Sequence, residues 1–430
     1  MKPYQLTGFA FLLLLQFSCN MQPKQITSTK DYQAYLETDE NKMLEKTIQD
    51  FNFWETKLEK APNQFPYLVK VSASQSQIFQ KTGRIEALVA AENYLIKANE
   101  ATHYSKAGYL RALARNYISQ HKFKEALELL KQAESQGEDL KASEKMLFDV
   151  YMELGEYDQA MVYLEKIRKA SDFDYLIRLS KWSDHKGNLD AAIKYLEQAK
   201  TIIESSNIPF KNKWVYTNLA DFYGHAGQVE IAYKYYLKAL KIDANDAYAK
   251  KGIAWIVYSH EKRPDEALRI LNSITAHYMA PDYYLLKAEI AQFKGDSTLE
   301  KQQLDLYKQA VKNPLYGDMY NAYNALLFAE VPEKNAEALL MALHEIENRP
   351  TPESYDLLAW TYFNQGDYKN ALTVAENHIV MKTSEPNILF HLAQIYKANG
   401  KISEAKALKQ ELLESTFELG PLMAVNINKI

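Results

Sequence analysis

LRALARNYISQHKFKEALELLKQAESQGEDLKASEKMLFDVYMELGEYDQAMVYLEKI, residues 110–167, writes one helix–turn–helix pattern twice. In the first copy Leu113, Ala114 and Tyr117 lead to Ala126, Leu130 and Ala133. In the second, Leu147, Phe148 and Tyr151 lead to Ala160, Leu164 and Ile167. Each member of the second set stands 34 positions after its counterpart (147 − 113, 151 − 117, 160 − 126). Leu110, Leu113, Ala114 and Tyr117 recur at the spacing of one apolar helix face, as do Ala126, Leu130 and Ala133. Ala114 and Ala126 are small where two antiparallel helices have to cross closely. Neither helix hides its stripe alone, so each pair has to stack on the next. Polar turns, Ser119-Gln120-His121-Lys122 and Gly155-Glu156, join the helices.

The period and its small residues resemble the tetratricopeptide repeat. The resemblance implies an all-α fold, a right-handed α-solenoid of stacked antiparallel helix pairs. Outward from the two clear copies, Leu176, Leu179 and Ser180 lead to Gly187, Ala192, Leu196 and Ala199. Tyr216, Leu219, Ala220 and Tyr223 lead to Gly227, Ala232, Tyr236 and Ala239. Ile253 and Ala254 lead to Ala267, Leu271 and Ile274, with one extra residue expected in the turn before Pro264. Residues 281–347 match worst, interrupted by Pro314 and Pro332. The pattern recovers at Leu358, Ala359, Tyr362, Gly366 and Ala371, and again at Leu392, Ala393, Tyr396, Gly400 and Ala405. The expected division is a signal peptide at 1–18, then a lipid-attachment cysteine and flexible tether at 19–40. A capping helix at 41–62, a solenoid of nine to ten pairs at 63–415 and an irregular tail at 416–430 complete it.

Composition agrees. Of 430 residues, 14 are glycine and 13 proline, each about 3 %, against typical values of ~7 % and ~5 %. So few breakers favour almost uninterrupted helix. A net charge of −4 gives no global field for nucleic acid. Thirty-one tyrosines suit half-buried sites between helices, where one end of the ring is apolar and the other polar.

Cys19 is the single cysteine, which excludes an internal disulfide and any cysteine-rich zinc site. Lys2, the apolar run Leu6 to Leu15 with Phe17, and Ser18-Cys19-Asn20 have the order of a secretory signal peptide. The apolar run is too short to span a membrane. A lone cysteine directly after it resembles a bacterial lipobox, with Gln16 where leucine is common. That resemblance implies an acylated Cys19 at the mature N-terminus. With no acidic residue following, it also implies the outer membrane; simple secretion and an ordinary N-terminal anchor are the alternatives.

No catalytic arrangement stands out. His260-Glu261 lacks the second histidine of a zinc-protease helix, and no glycine-rich phosphate loop occurs. Neither a cofactor nor a metal site is expected. In the family resembled, the first helix of each pair lines the concave groove. Matching positions here are Arg111, Arg115, Lys145, Arg178, Lys181, Trp214, Asn218, Asp221, Lys251, Trp255 and Tyr258. The early part of this set is basic, with Asp149 its one acid, which points to an acidic or carboxylate-bearing protein or peptide partner; the alternative is that these cations pair with Asp149, Glu153 and their neighbours and bind nothing. Trp255 and Trp360 hold equivalent positions as packing residues or stacking platforms. Two functions follow: an interaction scaffold tethered in the cell envelope, or a ligand-binding component of envelope transport or degradation. A long open groove favours the first, and a buried pocket lined by tryptophan and polar groups the second.

Overall fold

The computed structural model describes residues 24–38, 41–206 and 209–430, and among them every regular element is a helix. Helices α1 (Thr29–Leu36) and α2 (Lys42–Lys60) precede the stack. The first turn of pairs is α3 (Phe65–Thr82) with α4 (Ile85–Ala101), α5 (Ala107–Ser119) with α6 (Phe123–Gln136), α7 (Leu140–Glu153) with α8 (Tyr157–Lys166), α9 (Phe173–His185) with α10 (Leu189–Ser206) and α11 (Pro209–His225) with α12 (Val229–Ile242). The second is α13 (Ala247–Trp255) with α14 (Pro264–Thr275), α15 (Asp282–Lys294) with α16 (Ser297–Ala310), α17 (Asn321–Ala329) with α18 (Asn335–Asn348), α19 (Pro352–Asn364) with α20 (Tyr368–His378) and α21 (Pro386–Ala398) with α22 (Ile402–Glu414). Helix α23 (Thr416–Ile427) ends the fold. The protein is an α-solenoid of stacked antiparallel pairs.

Local chemistry sets the boundaries. Side-chain oxygens of Asp172, Asp246 and Asp296 accept the N–H three residues on, at 2.9, 2.8 and 3.0 Å, and start α9, α13 and α16. Pro264, Pro352 and Pro386 fill first helical positions, where a missing N–H costs nothing. Ala114, Ala126, Ala160 and Ala192 are fully buried at the crossings, as the repeat pattern predicts.

Three segments depart from the sequence reading. Within the expected tether, Thr29–Leu36 is helical and docks on α12 and α14. Its anchor is polar, so apolar periodicity could not show it. The Glu261 carboxylate accepts the Ile26 and Thr27 N–H groups at 2.7 and 2.6 Å and the Thr27 hydroxyl at 3.0 Å. Tyr32 is buried and donates to Glu266 at 2.6 Å. The second departure is the extra residue, which sits not in the turn before Pro264 but inside the helix, as a π-turn over Ile256–His260. Third, the expected tail is α23, bent at Gly420-Pro421 and packed on α11, α15 and the π-turn. The expected signal peptide and Cys19 lie outside the described residues.

The stack coils until its second turn meets its first. The Met279 N–H donates to the Thr82 carbonyl at 2.8 Å. Gly83, at φ +67°, lies so close to Ala280 that a Cβ would fall 2.8 Å from its nitrogen. Gly155 abuts Pro350, Gly187 abuts Ser384 and Gly224 abuts Phe417. The sequence separation is nearly the same in every case (279 − 82, 350 − 155, 384 − 187, 417 − 224), so one superhelical turn takes a little under half of the chain. The seam also accounts for the poor repeat match at 281–347. Tyr307, Tyr316 and Tyr320 pack with Ile85 and Leu88 of α4, so they answer to the first turn as well as to neighbouring repeats.

Candidate functional site

The basic strip of the first turn is matched by acids. Lys145 pairs with Asp172 and Asp174 at 3.3 and 2.9 Å, Arg178 with Asp149 at 2.5 Å and Lys181 with Glu153 at 2.8 Å. Arg111 donates to the Glu138 carbonyl at 2.7 Å and lies 3.6 Å from the Asp139 carboxylate. Arg115 is exposed, with Met146 Sδ at 4.0 Å. Asp149 is therefore not the one acid facing five cations, and the surplus positive charge read from the sequence is absent. The reading compared positions one full repeat apart. The partners stand closer than that in sequence (174 − 145, 178 − 149, 181 − 153), because each cation reaches about one helical turn along the neighbouring first helix. Burial raises the carboxyls of Asp174 and Glu153, yet their cations outweigh it and hold both below the ordinary range.

The aromatic stretch is covered by the chain itself. Trp255 Nε1 and the Ser259 hydroxyl both donate to the Phe417 carbonyl of α23, at 3.0 and 2.6 Å. Tyr258, expected in the groove, is fully buried and donates to Glu289 at 3.1 Å. The π-turn, beginning at Ile256, adds a residue per turn and so breaks the α-helical register that placed it there. Asp221 accepts from Tyr236 and Tyr248 at 2.5 and 2.7 Å, and burial raises its carboxyl. With Lys251, Gly252 and Trp255 it lines a cavity of about 210 Å³ under Phe417 and Glu418. Lys251 also lies 3.5 Å from Asp282. Trp214 is 39 % exposed, and Asn218 donates to its carbonyl at 2.8 Å.

A larger cavity, about 440 Å³, lies in the second turn between α17, α19, α21 and α23. On α19, Asp356 and Trp360 are one helical turn apart on one face. Asp356 is 4 % exposed; His391 of α21 sits 2.8 Å from its Oδ2, while Oδ1 has no partner. Trp360 is 8 % exposed, its ring stacked between Phe363 and His391 at centroid distances of 4.8 and 3.9 Å, and its Nε1–H is also unmatched. Glu330, Glu353, Glu385 and Asn387 complete the polar lining, with Arg349 at the edge held by Glu153 and Glu345. Trp360 was legible in the sequence. Asp356 and His391 were not singled out, although their spacing of 35 is close to one repeat and could have paired them.

Models of the tetratricopeptide repeat match residues 88–176, 215–246 and 352–376. The chain carries tetratricopeptide repeats. No curated protein matches it in sequence. Among solved structures, a tetratricopeptide-repeat protein from Parabacteroides merdae is 17 % identical, covering 61 % of this chain and 98 % of its own, with a TM-score of 0.34. The pilF protein of Pseudomonas aeruginosa is 16 % identical over 50 % of this chain and 96 % of its own, at 0.37. Human IFIT1, solved as a dimer with PPP-AAAA, is 15 % identical over 83 % and 85 %, at 0.42.

Tetratricopeptide repeats build protein-interaction scaffolds, and in this one the inner surface is unequal along its length. The first turn presents ion pairs, with Arg115 outside them, and a stretch covered by α23; the second presents carboxylates and, on residues lining its cavity, the unmatched Asp356 Oδ1 and Trp360 Nε1. Burial raises the carboxyls of Glu330 and Asp356, partly opposed at both by His391. Among the described residues no three His, Cys, Asp or Glu side chains converge as metal ligands.

Proposed function

We propose that this tetratricopeptide-repeat protein is a non-enzymatic scaffold that receives a partner protein in its second turn while an acylated Cys19 tethers it to the cell envelope, at the outer membrane. The observation that carries the reading is the contrast between the two turns. Lys145, Arg178 and Lys181 along the first already have acidic partners, whereas Asp356 Oδ1 and Trp360 Nε1 are buried and unmatched on residues that line the second-turn cavity. Unpaired buried polar groups are costly, and a ligand that pairs them recovers that cost. The same cavity, lined by tryptophan and polar groups, favours a second reading, a ligand-binding component of envelope transport or degradation.

Site-specific photo-crosslinking of the full chain tests the scaffold. A crosslinker at Asn387, which lines the cavity, is expected to capture a discrete partner that one at Arg115 does not. Capture from Arg115 alone refutes the placement. For the anchor, Cys19→Ser is expected to shift the protein from the detergent phase to the aqueous phase or to leave the precursor unprocessed. Unchanged partitioning refutes acylation, since stable anchoring depends on the acyl chains.

A further inference from the structure

We infer that the first-turn face around the π-turn is a receptor for an aromatic-x-x-Gly-Pro segment, that residues 417–421 occupy it in cis, and that a partner protein carrying such a segment displaces α23. The site is separate from the second-turn cavity and goes beyond the scaffold reading above.

Proline chemistry on α23 makes the ligand. In a continuous helix the Phe417 carbonyl would accept from the N–H four residues on, but that residue is Pro421, which has no N–H. Gly420, at φ 80° and ψ 165°, bends the chain there. The freed carbonyl accepts instead from Trp255 Nε1 at 3.0 Å and from the Ser259 hydroxyl at 2.6 Å. Tyr258, between the two in sequence, gives its proton to Glu289 at 3.1 Å, and the Leu422 N–H faces its hydroxyl. All three readers fall within five residues, where the π-turn Ile256–His260 places its extra residue; such turns recur at functional sites.

The fit is steric as well. A Cβ on Gly420 would lie 3.0 Å from Trp255 Cη2 and 3.1 Å from Glu289 Oε1, so the ligand needs glycine at this point. A Cβ on Gly224 of α11 would lie 2.9 Å from Phe417 Cε1, so the receptor is cut back to seat an aromatic ring. A helix that only capped the stack would bury an apolar face and make none of these demands on a motif.

Two features make α23 displaceable. Ser415 alone joins it to α22, so its release leaves the repeat pairs stacked on one another. It also fits the site incompletely: a cavity of about 210 Å³ lies beneath Phe417 and Glu418, beside Asp221, Lys251 and Gly252. A partner with a larger side chain at either position gains contacts there that the chain's own segment lacks. That gain has to outweigh the high effective concentration of a tethered competitor.

The test is fluorescence polarisation of a labelled peptide, TFELGPLMAVNI, the sequence of residues 416–427, with the full chain. Gly420→Ala in the protein spoils the cis segment and leaves the receptor intact. It is expected to bind the peptide roughly tenfold or more tightly than wild type does, because apparent affinity scales with the fraction of receptor that is free. Gly420→Ala/Trp255→Phe is expected to lose roughly tenfold of that affinity, and the Phe417→Ala and Pro421→Ala forms of the peptide to bind as weakly. Equal binding by wild type and Gly420→Ala, or binding indifferent to Trp255→Phe and to Pro421→Ala, overturns the inference. If Gly420→Ala lowers the melting temperature of the whole chain, the wild type decides. An excess of the peptide, isotopically heavy so that its fragments are told apart, is then expected to raise hydrogen exchange in residues 417–427 of the protein, and unchanged exchange overturns the inference. A full-chain dimer that the peptide dissolves would make a second copy the occupant and refute a foreign partner.

Discussion

Replacing Glu261 with alanine removes the group on which the N-terminal strap is hung. Its side chain is completely buried and accepts three hydrogen bonds from residues 26 and 27, besides an ion pair with Arg263 at 3.0 Å. Hydrogen bonds to a charged group contribute about 1.5–3 kcal/mol each, so three independent ones would give roughly 5–9 kcal/mol. They are not independent, and the strap regains chain entropy when it lets go. Breaking a buried ionic cluster on one side typically costs about 3–5 kcal/mol, which we take as the docking free energy at stake. Glu261→Ala is therefore expected to lower hydrogen-exchange protection of residues 26–36 by roughly 10²–10⁴-fold. Helices α5 to α8, remote from the strap, should keep theirs. Unchanged protection of the strap would show that Tyr32 and its bond to Glu266 hold it unaided. An equal loss along residues 65–430 would show that the strap is part of the global fold.

Ala160 is fully buried at a helix crossing, so Ala160→Leu should overpack it and cost ~1–3 kcal/mol. Exchange should rise chiefly in α7 to α9, and a uniform rise or none would refute the stacked-pair account. A Cβ on Gly252 would lie 2.1 Å from Tyr236 Cζ, so Gly252→Ala should expel that ring, break its bond to Asp221 and lower the melting temperature. Gly108→Ala, whose Cβ meets only an Arg111 nitrogen at 3.9 Å, should be neutral or stabilising, and similar melting shifts would contradict this geometry. Burial raises the Glu289 carboxyl to about 7 where it lies against Gly420 and Trp255 of the α23 contact. The folded state therefore binds that proton more tightly than the unfolded state, whose glutamate titrates near ~4.3. Its contribution is complete below that value and is lost as pH rises through about 7. Amides of residues 417–427 should exchange more readily at pH 8 than intrinsic rates predict from pH 5.5, and Glu289→Gln should abolish the difference.

The pairs, their marker alanines and the weak stretch at 281–347 were legible because they depend on apolar spacing within one or two repeats. What depends on other distances was not. Asp149 and Glu153 were open as partners from the sequence, but Asp174, which faces Lys145 one helical turn out of repeat register, escapes a comparison made at the repeat period. Strap docking runs through Glu261, whose neighbour His260 drew notice only as a failed metal motif. A π-turn and a turn leave the same mark, one inserted residue, and the sequence could not tell which took it. Trp255 and Trp360 looked alike, and only their tertiary partners separate them: Phe417 occupies the first, while the second keeps an idle N–H.

An open solenoid behaves as a spring, since each unit touches only its neighbours. The contacts between successive turns rivet one coil to the next, so a pull on both ends loads Thr82–Met279, Gly155–Pro350 and Gly187–Ser384 together before any repeat unravels. The same rivets delay completion of the molecule during synthesis. At ~5–20 residues per second, the edge that carries Ile85 and Leu88 waits roughly 10–50 seconds for Tyr316 and Tyr320 to arrive. Through that interval the nascent chain exposes an apolar rim that the finished protein never shows, and a holding chaperone would find its purchase there.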